Sequence, residues 1–277
     1  MINDYRVKIA IPLILLVFSI LLITFKGIPK SIDITGGTEI TIKVNEKIDI
    51  LKLKQELEGL ADVKELKSTT GYYIVIKCKQ ENVNIVKQKL KEFFKVDSLS
   101  KLDYSEKVIG PTLSQKFFED GLKALSFAFL FMAIVIYVTF RKPLVSGVII
   151  FCALSDIIIT LGGMSLFNIE LSSATIAALL MVIGYAVDSN ILLTTKVLKR
   201  LTKDFDEVYK EAFKTGLTMS LTTISAMLIL YLVVKFVIPI AYVLSNISSV
   251  IIIALIADIL NTWFLNAGIL KYMVSKK

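Results

Sequence analysis

Six apolar runs long enough to cross a bilayer recur along the chain, and a charged, alternating stretch separates the first from the second. A helix needs roughly 20 mostly apolar residues to span a hydrocarbon core of ~30 Å. The runs cover residues 9–25, 122–140, 144–167, 172–197, 216–234 and 244–270, and each predicts a transmembrane helix. The first follows Arg6 and Lys8, is long for a signal-peptide core and is followed by KGIPKS with no A-x-A cleavage site. It therefore predicts an uncleaved anchor. Arg141-Lys142-Pro143 predicts a tight turn between the second and third runs, and Pro239 a break before the sixth.

Between the first two runs the period changes. Residues 33–44 (DITGGTEITIKV) are rich in β-branched side chains and alternate in their second half, as a strand does. Residues 49–60 (DILKLKQELEGL) place apolar side chains three and four apart, start at Asp49 and meet Gly59, which predicts a helix. Residues 63–79 hold two strand-like runs around Thr70-Gly71, a hairpin signal. Residues 82–94 predict a second helix with Val83, Val86, Leu90, Phe93 and Phe94 on one face, and 102–109 a last strand. The order βαββαβ predicts a small ferredoxin-like α+β domain, a fold that hosts unrelated functions. The chain thus reads as a multi-pass α-helical membrane protein with six transmembrane helices and an α+β ferredoxin-like extracytoplasmic domain between helices 1 and 2. Its expected divisions are an N-terminal transmembrane helix in 1–26, the extracytoplasmic domain in 27–120 and a five-helix transmembrane module in 121–277.

Composition agrees: 55% of the 277 residues are hydrophobic, against about 45–50% in an average soluble domain. The net charge of +8 is set beside the apolar runs. Arg6, Lys8, Arg141, Lys142, the basic residues of 196–214, and Lys271, Lys276 and Lys277 fall on one side, while the short loops opposite hold Glu170 and Lys235. The positive-inside rule makes the first side cytoplasmic. Both termini are then expected inside, with residues 27–120 outside and the chain in the cell membrane. Topology accounts for the basic charge without a nucleic-acid partner; the lipid bilayer is the expected neighbour, anionic headgroups included. In 196–215, Leu198, Leu201, Phe205, Val208 and Ala212 recur at helical spacing among charges. That fits either a helix lying along the membrane surface or an extension of the fourth span.

The chain has no histidine and two cysteines, Cys78 in the charged stretch and Cys152 in an apolar run. Zinc fingers, His-based metal sites and Ser-His-Asp catalysis are excluded, and a disulfide framework is not expected. No metal and no cofactor are expected. Three acids, Asp156, Asp188 and Asp258, lie inside apolar runs. At 1.5 Å per residue each is roughly 12–21 Å from the nearer charged end, too deep to snorkel. An ionisable group there costs several kcal/mol and reads by default as functional; hydrogen bonding between helices is the structural alternative. Asp156, Thr160 and Gly163 share a face. Gly184 and Tyr185 precede Asp188 by one turn, with Ala174, Ala177 and Ala178 further back, small enough for close helix approach. Thr215, Thr218, Thr222 and Ser225 form a hydroxyl stripe, and Asp258, Asn261 and Thr262 lie together. If these stripes face one another, they enclose a polar interior with Asp188 as its titratable centre. Asp188, Asp156, Asp258, Tyr185, Lys214 and Thr222 are the candidates for proton or ion coupling. An intramembrane aspartyl protease of the G-x-G-D type is disfavoured by spacing, since the run is Gly184-Tyr185-Ala186-Val187-Asp188 and no tyrosine precedes Asp156. No enzymatic activity is expected.

Several short motifs occur in order. They are Asp33-x-x-Gly36-Gly37 after the first run, Val108-Ile109-Gly110-Pro111 before the second, VIGYAVDSNILLTTKVLKR (182–200) in the fourth, and Ser220-Leu221-Thr222-Thr223 in the fifth. Paired glycines by themselves suggest a turn or positive φ beside a strand. Together the motifs resemble the SecD/SecF protein-export family, within the RND superfamily, over nearly the whole chain. The short external domain and six spans resemble its SecF branch, and Trp263 and Asn266 its archaeal-type form. Three positions depart from the family's pattern. Ser155 stands before Asp156 where the family has a histidine. The fourth-span acid, Asp188, is in the SecD register, with Ser189 in the bacterial SecF register. Thr215, with Lys214 beside it, aligns with the family's basic residue. The resemblance implies pairing with SecD into a twelve-span set and association with the Sec translocon, a SecYE-type channel. It further implies contact with a translocating unfolded polypeptide, and late export steps driven by the proton gradient. It makes Asp33, Gly36, Gly37, Gly110, Pro111 and Gly184 motif residues. The competing expectation is a half-size RND-type exporter of small molecules or lipids, which the small external domain argues against.

Overall fold

The structure, a computed structural model, describes residues 5–44, 48–68, 71–99, 102–199 and 204–275. The chain divides into two units, one of 30–121 with 230–245, the other of 1–29, 122–229 and 246–277.

The first unit is built on an antiparallel sheet. Its strands are β1 (Gly37–Val44), β2 (Ala61–Ser68), β3 (Gly71–Cys78) and β4 (Asp103–Ile109), in the order β2-β3-β1-β4. A one-turn helix α2 (Ile32–Thr35) leads into β1, α3 (Ile50–Glu56) joins β1 to β2, and α4 (Val83–Phe94) joins β3 to β4. This is the predicted βαββαβ order. Alternation works as expected: Ile40 and Ile42 of β1 and Ile76 of β3 are fully buried on one face. Leu53 of α3 and Leu57 just after it meet them with Val86 and Leu90 of α4. Each such side chain contributes roughly 1.5–3 kcal/mol of burial. Asp49 caps α3, its side chain accepting from the Lys52 amide at 3.3 Å. In the β2–β3 hairpin Ser68 stands opposite Gly71; Thr70 of the expected turn lies outside the described residues. Residues near Pro239 belong to this unit as well: the Tyr242 hydroxyl lies 2.7 Å from both carboxylate oxygens of Glu39.

Six helices among the described residues are long and apolar enough to cross a membrane. They are α1 (Tyr5–Lys26), α5 (Pro111–Phe140), α6 (Pro143–Phe167), α7 (Ser173–Lys199), α8 (Phe205–Phe236) and a last span that joins α9 (Tyr242–Leu260) to α10 (Ala267–Ser275). Asn261–Asn266 between α9 and α10 is a π-helical turn. In the second unit α6 and α7 are central, about half buried, whereas α5 and α8 bury only 6% and 11% of their apolar windows. Two adjacent glycines set the packing of α6. A Cβ on Gly162 would stand 2.5 Å from the Ser19 Cβ of α1, and one on Gly163 2.6 Å from the Ile253 side chain of α9. Ser19 of α1 and the Ile253 side chain of α9 therefore approach α6 as closely as they do only because neither glycine has a side chain.

The structure differs from the expected boundaries at two helices. α5 starts at Pro111 rather than 122, with proline at the first helical position, where its missing N–H costs nothing. The amphipathic stretch after 204 is neither a separate surface helix nor an extension of the fourth span. It is the start of α8, and Val208 and Ala212 bury against Leu193, Val197, Trp263 and Leu270. Leu201 of that stretch lies outside the described residues.

Candidate functional site

The buried polar centre of the membrane unit is built by α6 and the last span. Asp156 and Thr160 are one turn apart on α6 and fully buried. Thr160 uses its hydroxyl on its own helix, donating to the Asp156 carbonyl at 2.6 Å. Asn261, the first residue of the π-turn, donates its amide to Asp156 Oδ1 at 2.6 Å. Asp258, one turn earlier, accepts from Thr262 at 2.9 Å. The two carboxyl groups are within electrostatic range of each other. Among the described residues neither makes a salt bridge; the nearby ionisable groups are Cys152 and Asp188. A second layer comes from α7. Asn266 donates to Asn190 Oδ1 at 2.7 Å and to Thr194 at 3.3 Å, and Ser189 lies beside Asp258. The π-turn makes this arrangement possible: its wider turn re-aims Asn261, Thr262 and Asn266 within six residues. Trp263 packs into the space left by Gly216, where a Cβ would be 2.4 Å from the indole, and the Tyr209 hydroxyl donates to the Trp263 carbonyl at 3.2 Å.

Asp188 is not the centre of that interior. It is exposed on α7, in one stripe with Ala177, Met181 and Gly184, while Ser189 and Asn190 beside it face inward. Tyr185 is half-buried and packs with Leu179 and Ile251. The hydroxyl stripe of α8 does not face the acids either. Thr215, Thr218, Thr222 and Ser225 are all exposed, and each donates to the carbonyl four residues earlier in its own helix, Thr222 to Thr218 at 3.0 Å. Lys214 is exposed at the same end. The ammonium that meets Thr215 comes from α7 instead: Lys196 donates to its hydroxyl at 3.3 Å.

The glycine motifs converge in the other unit. Ser31 caps α2, accepting from the Asp33 amide at 3.2 Å, and Asp33 pairs with Lys107 of β4 at 2.9 Å. Gly36, at φ +72, leaves room for Ser114, Ile109 and Pro111, each within 3.4 Å of where its Cβ would be. Gly37 pairs with Ile109 across β1–β4. Asp33-x-x-Gly36-Gly37 and Val108-Ile109-Gly110-Pro111 thus form one structural element. Residues 87–276 match the family described as "Protein export membrane protein SecD/SecF, C-terminal", and 21–48 match "SecD/SecF GG Motif".

The chain belongs to the SecD/SecF protein-export membrane protein family. It is 72% identical to the protein-export membrane protein SecF of Methanocaldococcus jannaschii, over all of this chain and 98% of the relative. It is 42% identical to SecF of Methanothermobacter thermautotrophicus, over 98% and 93%. Its fold resembles the crystal structure of SecDF, a translocon-associated membrane protein from Thermus thermophilus, with a TM-score of 0.72 at 22% identity. That match covers 97% of this chain but 38% of the solved one. A heavy metal efflux pump shares the fold more distantly, at a TM-score of 0.52 over 78% of this chain and 22% of the pump. Within this SecD/SecF chain, the residues that sequence reasoning passed over are Asn190, Thr194 and Lys196. Asn190 and Thr194 carried a readable signal, two polar side chains one turn apart in an apolar run.

Proposed function

We propose that the chain is the SecF-type subunit of a protein-export machine, working beside a SecD-type partner and the Sec translocon to promote passage of unfolded polypeptide across the cell membrane. Both termini lie in the cytoplasm and residues 27–120 outside. One observation carries the pairing: Asp188, mid-span and exposed, shares its face with Ala177 and Gly184. A carboxyl group facing lipid costs several kcal/mol, and small residues around it admit another helix. A second six-span subunit covers the acid, and the longer solved SecDF chain, of which this fold fills 38%, has room for one. Asp188 then works at the seam between the subunits as the group that couples ion movement to export.

The test is Asp188→Asn, assayed for secretion with membrane abundance of the protein and co-isolation of the partner measured together. Lost secretion at normal abundance is the expected result. Normal secretion would refute a working role for the acid, and a chain that isolates without any six-span partner would refute the pairing.

A further inference from the structure

We propose that Asp156, Asp258 and Asn261 form a site for one small monovalent cation, H+ or Na+, inside this single subunit and distinct from Asp188. The inference deepens the coupling reading above and rests on it for the site's purpose, but not for its existence.

Counting donors against acceptors gives the argument. Asp156 Oδ1 receives the Asn261 amide at 2.6 Å, and Asp258 Oδ1 receives the Thr262 hydroxyl at 2.9 Å. The Thr160 hydroxyl is committed to a backbone carbonyl. Asp156 Oδ2, Asp258 Oδ2 and Asn261 Oδ1 remain, and none accepts a hydrogen bond. The residues that carry them are at most 1% exposed. Ser189 adds a second hydroxyl hydrogen bond to the Asp258 carboxyl, and among the described residues no Lys or Arg forms an ion pair with either acid. Three buried acceptors with nothing positive to meet them leave two desolvated carboxylates repelling each other, at several kcal/mol apiece. A proton on one acid removes the repulsion and gives that carboxyl a donor for one of the remaining acceptors; a bare cation can be met by all three at once.

The donor set narrows the ligand. Two carboxylates and an amide carbonyl are hard oxygen ligands. Only two acids enter this set, fewer oxygen ligands than the roughly six to eight a Ca2+ takes, so a cation of single charge suits it better. The cation would also act mechanically. Asp156 belongs to α6, Asp258 to α9, and Asn261 opens the π-turn. Occupancy therefore ties the last span to α6, and loss of the cation sets the carboxylates against each other across that contact. The other ionisable groups in range are Cys152 on α6 and Asp188 on α7.

The test is binding by the purified full chain in detergent. Melting is followed in NaCl, KCl and choline chloride at equal ionic strength, and the infrared carboxyl C=O stretch is recorded at neutral pH. A Na+ site gives a melting temperature that rises with Na+ and not with K+. A proton site gives a protonated-carboxyl band at neutral pH and no Na+ selectivity. Either signal must vanish in Asp156→Asn and in Asp258→Asn. The second variant, whose amide oxygen still accepts from Thr262, decides the matter if the first does not accumulate. Neither signal in the wild type, or a signal that survives Asp258→Asn, overturns the site. Loss of both signals would leave Asp188 unaffected, and failed export by Asp188→Asn with a signal intact would leave this site standing.

Discussion

Replacing Gly37 by alanine should open the sheet of the first unit, while the same change at two other glycines should not. Gly37 starts β1 at φ +131, a conformation that residues with a side chain rarely adopt. A Cβ there would stand 2.5 Å from the carbonyl oxygen of Cys78 and 3.5 Å from its carbon. That carbonyl is backbone at the end of β3, and the next pair in the ladder is Thr38 with Cys78. It cannot turn aside as the tip of a long side chain can. Backbone strain contributes about 1–3 kcal/mol and the enforced shift about 1–3 more, so the total is roughly 2–6 kcal/mol. Gly59, at φ +75 with nothing within 4 Å, should cost the conformational part alone, about 1–2 kcal/mol. Gly110 has open space and no left-handed φ, and its alanine variant should be near neutral. The assay is amide hydrogen exchange of β1 and β3 in the full chain. Local opening governs that rate, and tenfold corresponds to about 1.4 kcal/mol. Gly37→Ala should speed exchange in these strands by ~30-fold or more, ahead of Gly59→Ala and then Gly110→Ala. Equal exchange in the Gly37 and Gly110 variants would refute the close approach on which the estimate rests.

Four further changes probe other contacts. Gly216→Val should shift the emission of Trp263, the single tryptophan, and lower the melting temperature, because the new side chain meets the indole; an unchanged spectrum would contradict that packing. Tyr242→Phe removes a hydroxyl 2.7 Å from both Glu39 oxygens. A hydrogen bond to a charged group is worth about 1.5–3 kcal/mol, so melting should fall, and more than for Tyr72→Phe. At Glu106 the Lys87 ammonium, then the Tyr104 hydroxyl, holds the carboxyl below its usual range. A depressed carboxylate stabilises the fold above its unfolded value, near 4.3, and loses that contribution as pH falls through the folded value. Glu106→Gln should therefore flatten the acid limb of the melting curve, and an unaltered limb would exclude the linkage. On the alkaline side burial first, then Glu106, pushes Tyr104 up to about 12. Its neutral form stabilises the fold below the usual value near 10, and the difference in phenolate absorbance between wild type and Tyr104→Phe should therefore appear near pH 12.

The spans and the sheet were legible because each rests on one strong period. Uncharged runs of helix length mark the membrane crossings, and alternation in 37–44 together with the aromatic and β-branched run of 71–78 marks the central strands. Helix starts were less legible where charged residues precede the apolar run. Lys116, Glu119 and Asp120 lie in α5, and Asp206 and Glu207 in α8, so hydropathy alone began both helices too late. The π-turn left no trace in the sequence, because Asn261–Asn266 differs from an α-helix only in its hydrogen-bond spacing. The convergence of Gly36 on Pro111 and the fit of Gly216 to the Trp263 indole were equally invisible, since they depend on which group arrives opposite a missing side chain. The three acids were found, but not their directions. A residue's phase on its helix tells which neighbours share its face, and only packing tells whether that face is covered.

That difference of direction separates the acids physically. Asp156 and Asp258 are sealed within the subunit, so whatever offsets their charge must be held by this chain's own groups or by a cation those groups enclose. Asp188 sits in the same apolar layer but on an exposed face, so what offsets its charge must come from outside the chain. The surroundings differ in the same sense. Around the sealed pair, acceptor oxygens are left without donors, whereas Asp188 shares its stripe with alanine and glycine, and the exposed hydroxyls of α8 are already satisfied by their own helix. Small side chains and internally satisfied hydroxyls make a surface on which another helix can be laid without desolvation cost. Unmet acceptors make a site that must be filled. Replacing Asp188 should therefore act through the partner, and replacing Asp156 or Asp258 through the packing of α6 against the last span. Partner co-isolation and melting temperature, measured on the same three variants, should move in opposite patterns.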